Sequence, residues 1–171
     1  VFTDLSNLER GGNFDFPDVD SLCIDHHRSN ERYTDYLYLR YHYAATAEML
    51  AEMFFDEGIQ MDKDTCNALY MAIGTDSGFF KFSCTSPHTL LMASKLVEMG
   101  APSYISNRLE EKTEEAMKCY KIVAGTVHSY ANGKIVIAYM DKEAMDLDGE
   151  NSDYYATIPR CIKGCEIAAL F

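Results

Sequence analysis

The segment Ser21-Leu22-Cys23-Ile24-Asp25-His26-His27 constrains this chain more than any other. Leu22-Cys23-Ile24 is a short apolar run without polar alternation, the pattern of a strand covered on both faces of a parallel sheet. It gives way to Asp25-His26-His27, three groups able to bind a metal or carry a proton. In open α/β sheets, ligands occupy the crevice outside the carboxyl ends of the strands. The segment therefore predicts an α/β fold, a parallel sheet flanked by helices, with its chemistry at the end of one strand.

Two further stretches carry acids in comparable settings. Val1-Phe2-Thr3 reads as the end of a strand that delivers Asp4, and Leu8-Glu9-Arg10 follows it. Ile73-Gly74-Thr75-Asp76-Ser77-Gly78-Phe79-Phe80, continuing through Lys81-Phe82-Ser83, places Asp76 in a turn-prone run after an apolar helix. In this order the stretches resemble the DHH phosphoesterase family. Asp25-His26-His27 looks like its signature, Val1 to Arg10 like its second motif, and Ile73 to Ser83 like its fourth. The likeness covers nearly the whole chain. Within the family it is to the NrnA-type branch, which degrades very short RNA and removes phosphate from 3′-phosphoadenosine 5′-phosphate.

The resemblance implies a role for each residue. Asp4 becomes a carboxylate bridging two metals, and His26 and Asp76 become ligands of one of them. His27 faces the substrate phosphate, as donor to an oxygen or to the leaving group. Asp25 sits behind the ligands and orients the histidine, a contact that tunes metal sites strongly. Two Mn²⁺ are the implied cofactors. Such cations favour carboxylates and accept imidazole, and a metal pair both neutralises phosphate oxygens and makes water nucleophilic. Arg10, Arg28 and Asn30 flank the motifs and are the candidate phosphate contacts. His42, His88 and His128 have no partner motif and are expected to be ordinary surface or core histidines. The departure from the family is its first motif, a strand ending in histidine and aspartate ligands, which does not precede Val1. The expectation is a stretch with about half the ligand set, holding one metal poorly and the pair not at all, and inactive alone.

Charge bounds the partners. The chain has 15 Lys and Arg against 27 Asp and Glu, a net charge of −12, and no basic run. Tracking a long nucleic acid backbone needs a basic stripe, so a small nucleotide or short RNA is the expected partner and a long polymer is not. No apolar run approaches the ~18 residues of a membrane span. The start at Val1 has no signal-peptide core. The six cysteines are scattered without a Cys-x-x-Cys pair, which fits free thiols in a reducing, cytoplasmic compartment. A homodimer is the self-association expected.

Along the chain, Tyr36-Leu37-Tyr38-Leu39 is β-prone. Thr46 reads as an N-cap, with Met49, Leu50, Met53 and Phe54 on one helix face before Gly58. Asp62 or Asp64 opens a second helix that is apolar nearly all round, and Ser86-Pro87 opens a third that ends at Gly100. A polar helical stretch from about Ser103 to Val123, broken near Thr113, separates two domains. Thr126–Ala131 and Lys134–Met140 flank Asn132-Gly133, a strong hairpin signal. Asp141 then caps a short helix, and Glu166–Phe171 begins a strand. The expected division is a DHH phosphoesterase domain over 1–112, a linker helix over 113–125, and the opening of a smaller α/β domain over 126–171. That second domain, by resemblance, belongs to the family's associated substrate-binding domain, whose glycine- and histidine-rich stretch is not among these residues. The expected activity is metal-dependent hydrolysis of short oligonucleotides or 3′-phosphorylated nucleotides. The rivals are a manganese-dependent inorganic pyrophosphatase or exopolyphosphatase, a single-strand exonuclease of the RecJ type, and a nucleotide-binding module without catalysis.

Overall fold

A computed structural model describes residues 1–12, 17–105 and 111–171. The expected polar helix after Ser103 lies partly outside the described residues. The chain divides into two compact units, Val1–Leu109 and Glu110–Phe171.

The first unit opens with three strands, β1 (Phe2–Thr3), β2 (Leu22–Asp25) and β3 (Tyr36–Leu39), in the order β1-β2-β3. Both pairings are parallel, with Thr3 opposite Ile24 and Asp25 opposite Leu39. Cys23, Ile24 and Asp25 are buried, as an apolar run without alternation requires. The parallel register puts the carboxyl ends of β1, β2 and β3 on one edge. Asp4, His26 and Arg40 follow the three strands there.

Three helices complete this unit: α1 (Thr46–Asp56), α2 (Lys63–Asp76) and α3 (Pro87–Glu98). Their core joins Ala47 and Ala51 of α1, Leu69 and Ile73 of α2, and Met92 and Leu96 of α3. Two caps match the expected chemistry. The Asp62 carboxylate accepts from the Thr65 amide at 2.8 Å, and Ser86 and Thr89 form a reciprocal capping box before Pro87. Gly100 closes α3 at φ +108. Three expectations are corrected. Thr46 is the first residue of α1 and not its cap, which is Ala45 with no side-chain bond. The helix expected to be apolar all round is one-sided, with Ala68 and Ala72 exposed. It also runs on through Asp76, so that aspartate sits at the helix end itself.

In the second unit, α4 (Glu114–Gly125) leads to β4 (His128–Tyr130) and β5 (Ile135–Ala138). Next come α5 (Lys142–Asp148), two single turns at Ser152–Tyr155 and Thr157–Arg160, and β6 (Ile167–Leu170). The hairpin is antiparallel, pairing Tyr130 with Ile135, and β6 joins β5 in parallel. Its strands are shorter than expected, because Ala131, Asn132 and Gly133 all take positive φ in the turn. The helix expected as a linker packs inside this unit: Cys119 and Val123 are fully buried with Ala138, Ala144 and Tyr155. Thr113, at the expected break, caps that helix by accepting from the Ala116 amide. Asp141 caps α5 in the same way. Among the described residues, no helix is long and apolar enough to cross a membrane.

Candidate metal centre

Asp4, His26 and Asp76 come from three elements of the first unit and meet at the carboxyl edge of the sheet. His26 Nε2 lies 3.5 Å from Asp4 Oδ1 and 3.7 Å from Asp76 Oδ2. The other ring nitrogen of His26, Nδ1, is 3.1 Å from the Tyr43 carbonyl oxygen. A carbonyl only accepts, so Nδ1 donates, and in the neutral ring the lone pair is on Nε2, which is aimed between two carboxylates. That tautomer is the one a metal ligand needs. Ligand-capable atoms of Asp4, His26 and His27 lie within 4.8 Å of one another.

The backbone holds this cluster under strain. Asp4 has φ +59, a left-handed conformation that a non-glycine residue adopts at a cost of order 1–3 kcal/mol. Its amide donates to the Ile24 carbonyl at 3.0 Å, and its Oδ1 accepts from the Thr46 hydroxyl at 2.8 Å. Thr46 thus spends its side chain on an aspartate 42 residues away instead of on its own helix. Asp76 is presented by the carboxyl end of α2, where the helix dipole favours a cation. The turn after it is also left-handed at Gly78, Phe79 and Phe80. The buried Ser77 hydroxyl braces that turn, donating to the Ile73 carbonyl and accepting from the Phe80 amide. Burial, and then the negative charge of Asp4, hold the Asp76 carboxyl above its ordinary pKa. Two unneutralised carboxylates converging on one lone pair are what a divalent cation would relieve, so the donor set fits a hard or borderline metal.

Asp25 and His27 form the next layer. Asp25 is fully buried, and its Oδ1 accepts from His27 Nδ1 at 2.7 Å and from the His26 and His27 amides. Its Oδ2 accepts from Asn30 Nδ2 at 2.6 Å. Burial pushes its pKa up, but the bonds from Asn30 and His27 outweigh burial and hold the carboxyl below its ordinary range. With Nδ1 occupied by Asp25, the free nitrogen of His27 is Nε2.

The three flanking candidates separate. Asn30 is buried, donating to Asp25 and to the Leu5 carbonyl and accepting from the Arg32 amide, so its polar atoms are directed into the fold. Arg28 is exposed beside His27, with its guanidinium over the Tyr41 ring. Arg10 is exposed in the single 3₁₀ turn Glu9–Gly11, and its amide bonds Asn7.

A network that local motifs do not announce lies behind His26. Glu48 of α1 is 1% exposed and accepts from the Ala44 amide, the Thr89 hydroxyl and His88 Nδ1 at 2.7 Å. His88 Nε2 lies 3.1 Å from Glu52, and Glu52 accepts from the Tyr43 hydroxyl at 2.6 Å. Burial and then that bond push the Tyr43 hydroxyl pKa up. Tyr43 is therefore anchored by its ring while its carbonyl sets the His26 tautomer. His88, expected to be an ordinary histidine, is clamped between two glutamates. Glu48 lies off the helix face that Met49, Leu50, Met53 and Phe54 define, and the run of aromatic residues before it is the one local signal.

No protein-family model matches the chain. It is 26% identical over 148 residues to the bifunctional oligoribonuclease and PAP phosphatase NrnA of Thermus thermophilus, covering 86% of this chain and 45% of that protein. It is 25% identical over 154 residues to the Bacillus subtilis protein of the same name, covering 87% and 49%. The chain thus spans about half the length of these relatives. The crystal structure of an exopolyphosphatase-related protein from Bacteroides fragilis shares the fold, with a TM-score of 0.75 at 19% identity over 85% of this chain and 45% of that one. The likeness to two NrnA proteins runs along more than four-fifths of this chain, beyond any isolated tripeptide, and it supports a DHH phosphoesterase of the NrnA type.

Proposed function

We propose that the protein hydrolyses phosphoesters of short oligonucleotides or 3′-phosphorylated nucleotides with the help of divalent metal, two Mn²⁺ in the whole protein. One observation carries this reading: His26 places Nε2 between the carboxylates of Asp4 and Asp76, with Nδ1 turned to the Tyr43 carbonyl, at the carboxyl edge of a parallel sheet. Asp4, His26 and Asp76 would hold the metal. Bound there, it supplies charge neutralisation for the phosphate and a nucleophilic water near neutral pH.

The residues around it do the rest. Asp25 fixes His27 through Nδ1 and leaves Nε2 for the substrate, where a proton can be donated to a phosphate oxygen or to the departing oxygen. Asn30 keeps Asp25 ionised and in place. Thr46 and the Tyr43 carbonyl hold Asp4 and His26 in their orientations. Six free thiols, three of them buried, agree with a cytoplasmic protein. A homodimer is the proposed assembly, tested by light scattering.

The test is hydrolysis of a dinucleotide RNA, of 3′-phosphoadenosine 5′-phosphate and of inorganic pyrophosphate in Mn²⁺ by the whole protein, since these 171 residues are expected to be inactive alone. Nucleotide cleavage that is lost in His27→Ala is the expected result. Cleavage of pyrophosphate alone would transfer the protein to the pyrophosphatase reading, and no hydrolysis at all would remove the enzymatic one.

A further inference from the structure

Next to the proposed metal ligands is a group of side chains that takes no part in the ligand set. Arg28, one residue after His27, lays its guanidinium over the Tyr41 ring, 5.0 Å from its centroid. Tyr41 is 56% exposed, a large aromatic ring that contributes little to the core. Its ring stands nearly perpendicular to that of the exposed His42, centroids 6.0 Å apart, and His42 in turn tilts against Tyr43 at 4.8 Å.

The segment that carries Tyr41 is tied to the site at both ends. The Arg40 amide donates to the Asp25 carbonyl at 3.1 Å, and the Tyr43 carbonyl accepts from His26 Nδ1 at 3.1 Å. Residues 40–43 therefore run along the carboxyl ends of β2 and β3, where ligands of such sheets bind. Tyr41 is two residues from the carbonyl that orients His26, about 7 Å of chain at most. That is on the scale of the distance between a nucleotide's base and its phosphate.

We propose that Tyr41, with Arg28 against its ring and His42 beside it, is a stacking subsite for the nucleobase next to the phosphate that is cleaved. The proposal rests on the phosphoesterase reading and names the substrate class within it, phosphoesters that carry a base. An exposed tyrosine ring offers a face to any base, because every base has a π-face, so the subsite tolerates different sequences. Arg28 adds a cationic plane beside it that favours both the ring and a phosphate. Pyrophosphate and polyphosphate have no ring to place there.

The experiment compares a dinucleotide with analogues in which one base or the other is replaced by hydrogen, cleaved by the whole protein in Mn²⁺. For the unmodified protein, kcat/KM should fall about tenfold or more on removing one of the two bases, mainly through KM. Tyr41→Ala should lose a similar factor on the intact dinucleotide and cleave the abasic analogue as the unmodified protein does. Tyr41→Phe keeps the ring and should restore the preference. The same contrast is read without turnover as binding of adenosine monophosphate against ribose 5-phosphate to the metal-free protein. If Tyr41→Ala discriminates between the members of either pair as strongly as the unmodified protein, the subsite is wrong. Equal cleavage of the dinucleotide and both analogues by the unmodified protein overturns the subsite alone. Failure to cleave any of them overturns the phosphoesterase reading and this inference with it.

Discussion

At the scale of single residues, the site is a set of groups each held by a bond it cannot exchange without loss. Asn30→Ala is the clearest case. Asp25 would remain buried without its Oδ2 partner, at a cost of about 1–3 kcal/mol at neutral pH. The pH dependence has a definite sign. The Asp25 carboxyl lies below its ordinary pKa in the fold, so its contribution is present above the unfolded value and lost as pH falls through the folded one. Without Asn30 the folded pKa rises, and the acid-unfolding midpoint followed by circular dichroism should move to higher pH. An unmoved midpoint would mean that His27 and the two amides suffice. Asp76 has the opposite sign. Burial and Asp4 disfavour its charge, a cost to the fold at neutral pH that is relieved as pH falls through the raised pKa. Asp76→Asn should leave the metal-free Tm unchanged or higher, yet abolish any rise in Tm on adding Mn²⁺. The two histidines should separate as well. His26→Ala is expected to remove metal and activity together. His27→Ala is expected to keep most of the metal while losing about 100-fold or more in rate. Metal analysis by mass spectrometry beside rates decides it, and equal metal loss in both would reverse the assignment.

At the scale of elements, the rules that worked were local and those that failed were not. Leu22-Cys23-Ile24 announced a buried parallel strand because burial on both faces suppresses alternation. Asp62, Ser86 and Asp141 announced helix starts because a cap bonds an amide three residues on, and Thr113, read as a break in a longer helix, caps one in the same way. Thr46 has the same local chemistry but its hydroxyl goes to Asp4 across the site, and no rule of spacing anticipates that. Asp25-His26-His27, Asp4 and Asp76 were legible from their order along the chain, whereas Asn30 reads as a polar loop residue until its burial is known. Glu48, Glu52 and His88 were invisible for a related reason. Glu48 and His88 are 40 residues apart and meet only because α1 and α3 pack together. Glu48 therefore gives an element-scale prediction. Glu48→Ala deprives the Ala44 amide, the Thr89 hydroxyl and His88 of their acceptor, and should cost about 1–3 kcal/mol in urea unfolding. Ser86→Ala removes one capping box and should cost about 1 kcal/mol. A Glu48→Ala loss no larger than the Ser86→Ala loss would show that α1 and α3 do not depend on the network.

At the scale of the whole chain, charge sets the reach of the site toward its substrate. The chain carries −12, and the first unit collects Asp4, Asp25 and Asp76 at one sheet edge with Arg28 and Arg40 on the loops beside them. Each phosphate neutralised by a lysine or arginine would steepen the salt dependence of binding by a fixed increment, about 0.7 in log–log slope for a single strand. A dinucleotide presents its cleavable phosphate to the proposed metal ligands and one base to Tyr41, so at most one or two such increments apply. A long single strand extends beyond this edge and is repelled by an acidic surface at distances inside the Debye length, about 10 Å at 0.1 M salt. The expected outcome is faster cleavage of a two-residue RNA than of a long single strand. The rate on the short substrate should change little between 0.05 M and 0.2 M salt, and the disadvantage of the long strand should narrow as salt screens the repulsion. Initial rates on both substrates at the two salt concentrations measure this directly. Faster cleavage of the long strand, weakening steeply with salt, would require a basic track, which a sequence of 15 basic and 27 acidic residues with no basic run argues against, and would move the protein to the exonuclease branch.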